Sequence, residues 1–224
     1  MTTTIGNWGK VVIILLFIAP LAFYFGARTF THPIFKPFPY AYTVTESGDS
    51  VKRRMPAFQF VTLDGDTLTN ADLSGKICYY HLFSLQDTLA LKIAQFHLKS
   101  FYDNLEWEKY DGIRLISIST GGDSLSALKA FAENRGVDSR RWMVVTADAP
   151  TLLSIGESLR LPEFAGKTLD NIPHRSDSIA LADKEGWVRK YYAALDFGSI
   201  KKFSEDFRSF VILEYPEDIG RRKP

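Results

Sequence analysis

Residues 77–83, ICYYHLF, form a seven-residue β-prone run with no break for a turn, the kind of strand that is buried on both faces of a sheet. Residues 113–119, IRLISIS, are a second run of the same kind. Between them, residues 87–107 place Leu91, Ala94, Leu98, Phe101 and Leu105 at helical spacing. The unit reads strand, helix, strand, and a helical crossover joins strands that run parallel.

The pattern extends in both directions. Upstream, residues 58–69, FQFVTLDGDTLT, alternate as a hairpin around Asp64-Gly65. Downstream, Asp123 or Ser124 can cap a helix carrying Leu125, Leu128, Phe131 and Ala132, with Gly136 as its stop. Residues 142–146, WMVVT, supply another strand, and a helix follows near 150–159. The segments SIALAD and WVRKYYA flank Lys184-Glu185-Gly186 as an antiparallel hairpin, and an amphipathic helix over 199–213 closes the chain. A parallel half followed by a hairpin and a final helix is the order of an α/β thioredoxin-like domain, here with an extra N-terminal hairpin. In that fold a working site sits where the first central strand meets the next helix, because the helix N-terminus lowers a thiol's pKa. That address is residues 83–91.

Ahead of the domain, residues 11–27 read VVIILLFIAPLAFYFGA without a charge, at the lower limit for crossing a bilayer core of roughly 30 Å. Trp8 and Tyr24 suit the interfaces, and Pro20 is tolerated in a membrane helix. A cleaved signal would place Tyr24 or Phe25 where cleavage needs a small residue, which favours an uncleaved anchor. Lys10 on one side against Arg28 and Lys36 on the other leaves orientation undecided by charge. The expected organisation is an N-terminal flank over 1–10, a transmembrane anchor over 11–28, a proline-bearing tether over 29–54, the domain over 55–216 and a tail over 217–224.

Composition excludes several classes. With 27 Lys+Arg against 26 Asp+Glu and 46% apolar residues, the chain lacks the basic footprint of a nucleic-acid binder and the polarity of a disordered one. A single cysteine, Cys78, rules out a disulfide scaffold.

In order and spacing, several segments resemble the Sco/SenC family, membrane-tethered thioredoxin-like copper chaperones of cytochrome c oxidase assembly. They are PFPY at 37–40, PAFQF and DG within 56–65, LSGK at 73–76, SIS at 117–119, DSLSALKAFAENRG from Asp123, RWMVVTAD from Arg141 and LADKEGWVRKYY from Leu181. The resemblance implies a domain on the outer, periplasmic or intermembrane face. It also implies, as partner, a respiratory oxidase subunit or another copper-handling protein.

The family's centre is a C-P-x-x-C-P type loop with a distant histidine. Aligned from Gly75, its cysteine positions fall on Asp87 and Leu91, and a shift by one residue gives Gln86 and Ala90. Copper(I) prefers thiolates and disulfide exchange needs two thiols, so neither chemistry is expected and no enzyme activity is assigned. Cys78 reads as a small core residue of the strand, and Asp87 as the helix cap. The family's R-G-Y-Y-D run keeps Arg189, Tyr191 and Tyr192 but has Lys190 and Ala193, and its acidic turn is shortened to Thr120-Gly121-Gly122. His174 lies near the family's metal histidine, with Arg175 as a one-residue insertion, and is the one candidate metal residue. No cofactor is expected, and copper enters only through the resemblance. His32, His81 and His97 show no ligand spacing.

The functional expectation is a thiol-inactive, membrane-anchored interaction or assembly factor. The alternative is an altered site for copper(II) or zinc built from His174 with Asp87 and His81.

Overall fold

The computed structural model describes residues 7–30, 38–45, 47–120, 122–173 and 177–216, and within 7–30 it leaves several side chains undescribed. The chain divides into two compact units, residues 1–36 and residues 37–224. In the first, helix α1 (Asn7–Phe30) runs through the apolar stretch with Pro20 inside it. Among the described residues, no helix is long and apolar enough to cross a membrane.

The second unit holds a two-stranded sheet, β1 (Tyr42–Val44) with β2 (Ser50–Lys52), and a seven-stranded mixed sheet. The larger sheet comprises β3 (Gln59–Thr62), β4 (Thr67–Thr69), β5 (Ile77–Phe83), β6 (Ile113–Ser119), β7 (Trp142–Thr146), β8 (Ser178–Ala182) and β9 (Val188–Ala193). Its order is β4-β3-β7-β6-β5-β8-β9. Strands β5, β6 and β7 are parallel, joined by α2 (Thr88–Asn104) and α3 (Leu125–Glu133), and the remaining pairings are antiparallel. All seven residues of β5 are buried, as the uninterrupted run predicts. The β3–β4 hairpin forms around Gly65, whose φ of +94° suits a residue without a Cβ.

The sheet is covered on both faces. On one, Ile77 and Tyr79 pack with Leu98 and Phe101 of α2 and with Phe203, Phe207 and Phe210 of α5 (Phe197–Glu214). On the other, Cys78, Tyr80 and Leu82 pack with Leu152 and Ile155 of α4 (Ala149–Ser158) and with Phe164. The alternation of β5 residues between these two cores is the period-two consequence of the strand. At Gly156 of α4 a Cβ would sit 2.0 Å from the Phe164 ring, so only glycine allows that approach.

Four helices begin with a side-chain cap. Asp87, Ser124, Asp148 and Asp196 accept from the amides of Ala90, Ala127, Thr151 and Ser199. Helix α3 stops at Glu133, before the expected Gly136, which follows at φ +60°.

One boundary moves. Residues 38–45 and 47–54, expected in the tether, belong to the folded unit: they carry β1 and β2, and Phe38 is buried in the core beside Phe210. The cause lies about 150 residues away. Arg189, in β9, has a side chain only 1% exposed and donates to the carbonyls of Phe38 and Pro39, to Asp183 at 3.1 Å and to Glu214 at 2.5–2.6 Å. Glu214 in turn accepts from the Phe38 amide at 2.9 Å. Removing one member of a buried ion network strands the others, at a cost of about 3–5 kcal/mol. Arg189→Met is therefore expected to lower unfolding free energy by about that amount in urea titrations. Adding Asp183→Asn, which removes the stranded buried carboxylate, should recover part of the loss.

Candidate functional site

The address at the end of β5 is built from the loop 84–87. Ser84 is buried, and its hydroxyl accepts from the Gln86 amide at 3.2 Å. The Leu85 amide donates to Asp123 at 3.1 Å, and Asp123 also accepts from the Ser119 hydroxyl at 2.9 Å. Two adjacent cap-type residues thus split their duties: Ser124 caps α3, and Asp123 ties the start of α3 to the loop before α2. Asp87 caps α2, accepting from Ala90 at 3.4 Å. A carboxylate therefore occupies the positive end of the helix.

Beside it is a cavity lined by His81, Phe83, Ser84, Asp87, Leu91 and Asp177, among others, with a volume of about 10 Å³. That is space for at most one water. The structure brings two of the sequence-predicted residues, His81 and Asp87, to one cavity and adds Asp177. His174 and His32 lie outside the described residues. Among the described residues no group of three His, Cys, Asp or Glu side chains is arranged to hold a metal ion.

The two described histidines differ. His97 is buried on α2 and bonds through Nδ1 to the Ala194 carbonyl at 2.8 Å, a satisfied structural role. His81 is buried in β5 with Nδ1 unpartnered. Burial lowers its pKa from 6.5 to about 4, with Asp177 pulling upward and Arg135 downward. Cys78 lies on the opposite face of β5 from His81. Burial pushes its thiol up to about 12, and its Sγ bonds to the Lys76 carbonyl at 3.7 Å. The one thiol is buried in a core where burial disfavours its thiolate, so among the described residues the donor set does not fit a thiolate copper site.

The two tyrosines of β9 are engaged by neighbouring side chains. Tyr192 is buried and donates to Asp206 at 3.3 Å, which also accepts from Lys190. Tyr191 receives a hydrogen bond from Arg53 at 3.3 Å.

Three features escape sequence reading: the Asp123 tie, the placement of Asp177, and the cage around Arg135. The Arg135 guanidinium stacks on Phe131 at 4.5 Å and Trp142 at 4.4 Å. The Asp-Ser pair at 123–124 was the available signal for the first. The other two depend on contacts between segments far apart in the chain.

No protein-family model matches the chain, and no curated protein does. Solved structures match over about three-quarters of the chain or slightly less. BsSco, a member of the Sco family of cytochrome c oxidase assembly proteins in which a disulfide switch was identified, is 21% identical. It matches with a TM-score of 0.58 over 74% of this chain and 98% of its own. A SCO1/SenC family lipoprotein from Bacillus anthracis matches at 19% identity and TM-score 0.54, over 72% and 96%. Bradyrhizobium japonicum ScoI, solved with copper bound, matches at 15% identity and TM-score 0.54, over 70% and 99%. These likenesses show a mixed α/β fold of the thioredoxin-like type found in Sco/SenC structures.

The buried neutral His81 predicts a pH dependence. Unfolded, it takes up a proton near 6.5, while folded it does so only near 4. Between those values the unfolded chain binds more protons, so stability falls as pH is lowered through the window. The full loss from this group is about 3 kcal/mol. Urea unfolding at pH 7 and pH 4.5 should show a clearly smaller drop in His81→Gln than in the parent chain.

Proposed function

We propose that the protein is a divergent member of the Sco/SenC family that lacks the two motif cysteines. It is anchored by the apolar segment at residues 11–28, holds its domain on the outer face of the membrane and acts as an interaction or assembly module rather than a redox enzyme. The partners that suit this reading are a respiratory oxidase subunit or a copper-handling protein met during oxidase or copper-centre biogenesis. The observation that carries it is the retention of the fold around an address whose thiol positions are Asp87 and Leu91. Asp87 is used as a helix cap, the adjoining cavity has space for about one water, and the lone cysteine is buried in a core. Partner recognition is the role left to a fold kept without its chemistry.

Anchoring is supported by the uncharged run through α1 and by the outward exposure of Leu16, Phe17, Ile18 and Phe23, the pattern of a helix whose surroundings are apolar. Alkaline extraction of membranes should leave the full chain in the pellet and release a chain beginning at residue 37. Full release of the intact chain would refute the anchor.

A second reading is an altered nitrogen and oxygen site for copper(II) or zinc, using His174 with Asp87 and His81. What favours it is the unpartnered Nδ1 of His81 in a cavity that Asp87 also lines. Copper competition against a calibrated chelator, in both oxidation states and on residues 37–224, separates the two. The module reading expects no specific site. Affinity tighter than about 1 nM, roughly 12 kcal/mol, that falls in His174→Ala would overturn it in favour of the second.

A further inference from the structure

A second cavity lies at the other end of β5. Its walls are residues 54–57, the turn 73–76 and the β8–β9 turn at 183–186, and Cys78 and Tyr80 also line it. Its volume is about 700 Å³. That falls within the roughly 300–1,000 Å³ range of small-molecule sites and contrasts with the near-solid packing beside Asp87.

The lining has two chemical sides. Met55, Leu73, Cys78 and Tyr80 are buried and give an apolar wall. Burial raises the pKa of both Tyr80 and Cys78 and so keeps them protonated, and this wall carries no charge. The acidic lining residues have their carboxylates engaged elsewhere. Asp183 pairs with Arg189 and accepts from the Glu185 and Trp187 amides, and Glu185 accepts from the Tyr215 hydroxyl at 3.4 Å. Two cationic lining residues have no such partner: among the described residues, neither Arg54 nor Lys76 forms an ion pair. Arg54 is held by its Nε donating to the Glu185 carbonyl at 3.2 Å and by stacking over Trp187 at 5.3 Å, which leaves its terminal nitrogens available. An apolar wall beside two uncompensated cations selects an amphipathic ligand of negative charge.

We propose that this cleft is a binding site for a small amphipathic anion of the aryl or alkyl carboxylate class, its apolar body against Met55, Leu73 and Tyr80 and its charge met by Arg54 and Lys76. The site is separate from the address at the start of α2, and the proposal stands whether or not the assembly reading does.

The test is equilibrium dialysis of the full-length chain against 2-naphthoate, with 2-naphthylmethanol as the uncharged match. The expected result is one saturable naphthoate site per chain and binding of the alcohol that is roughly tenfold weaker or worse, since a charge-assisted contact is lost. Lys76→Glu should weaken naphthoate roughly tenfold or more, Arg54→Gln should weaken it in the same direction, and Lys76→Arg should retain it. Circular dichroism and melting of each variant report whether the fold is intact, and the retained Lys76→Arg site shows that any loss follows charge. Equal affinity for acid and alcohol, unchanged binding in Lys76→Glu, or no saturable binding up to about 1 mM, weaker than roughly 4 kcal/mol, would each overturn the proposal.

Discussion

A guanidinium with 1% of its side chain exposed is stable only if its charge and its donors are met inside the protein. Arg189 achieves this with four segments at once: the carbonyls of the lead-in at Phe38 and Pro39, Asp183 at the end of β8, Glu214 at the end of α5, and the strand β9 that carries it. Burial opposes its charge, and Glu214 and Asp183 hold it protonated. The Tyr40 and Phe210 rings, 3.9 and 5.1 Å from the guanidinium, complete the enclosure. The first and last parts of the folded unit are thereby joined to its C-terminal hairpin. Phe38 can then pack on Phe210, and a proline-bearing segment with no period of its own becomes ordered.

At the opposite end of the sheet a carboxylate stands at the start of α2. A helix N-terminus stabilises negative charge whether it is a thiolate or a carboxylate. Asp87 takes that role through a cap, and Leu91, on the same helix, packs toward Phe83 and Leu128. The loop needs no thiol to keep its shape, because Asp123 and Ser84 satisfy its amides. The backbone of the loop is thus held by a carboxylate and a hydroxyl.

The elements that sequence reading locates well are those decided by neighbours in the chain. The buried run of β5, the turn at Asp64-Gly65 and the cap at Asp87 follow from side-chain type, period and glycine φ. The elements it misses are those with weak local patterns. Strand β2 is exposed along its whole length and β1 at two of its three residues, so neither carries an apolar period. Their order comes from bonds to distant partners, such as the Ala41 amide to Val188 and the Val188 amide to Arg53. Asp177 belongs to the same class, since its place near His81 is set by bonds to Glu163 and Ala194.

From the sequence alone come the order of strands and helices, the apolar run near the N-terminus and the absence of a thiol pair, because each is a property of residue type and spacing within a short window. The tertiary structure alone decides which carboxylate meets which cation or hydrogen-bond donor. Asp183 and Glu214 go to Arg189, Asp123 goes to Leu85 and Ser119, and Arg54 and Lys76 are left facing a cleft. Such choices depend on distances across a packed core. Electrostatic and hydrogen-bond energies fall off over a few ångströms, so which groups pair is decided only when the sheet and its helices have brought them together.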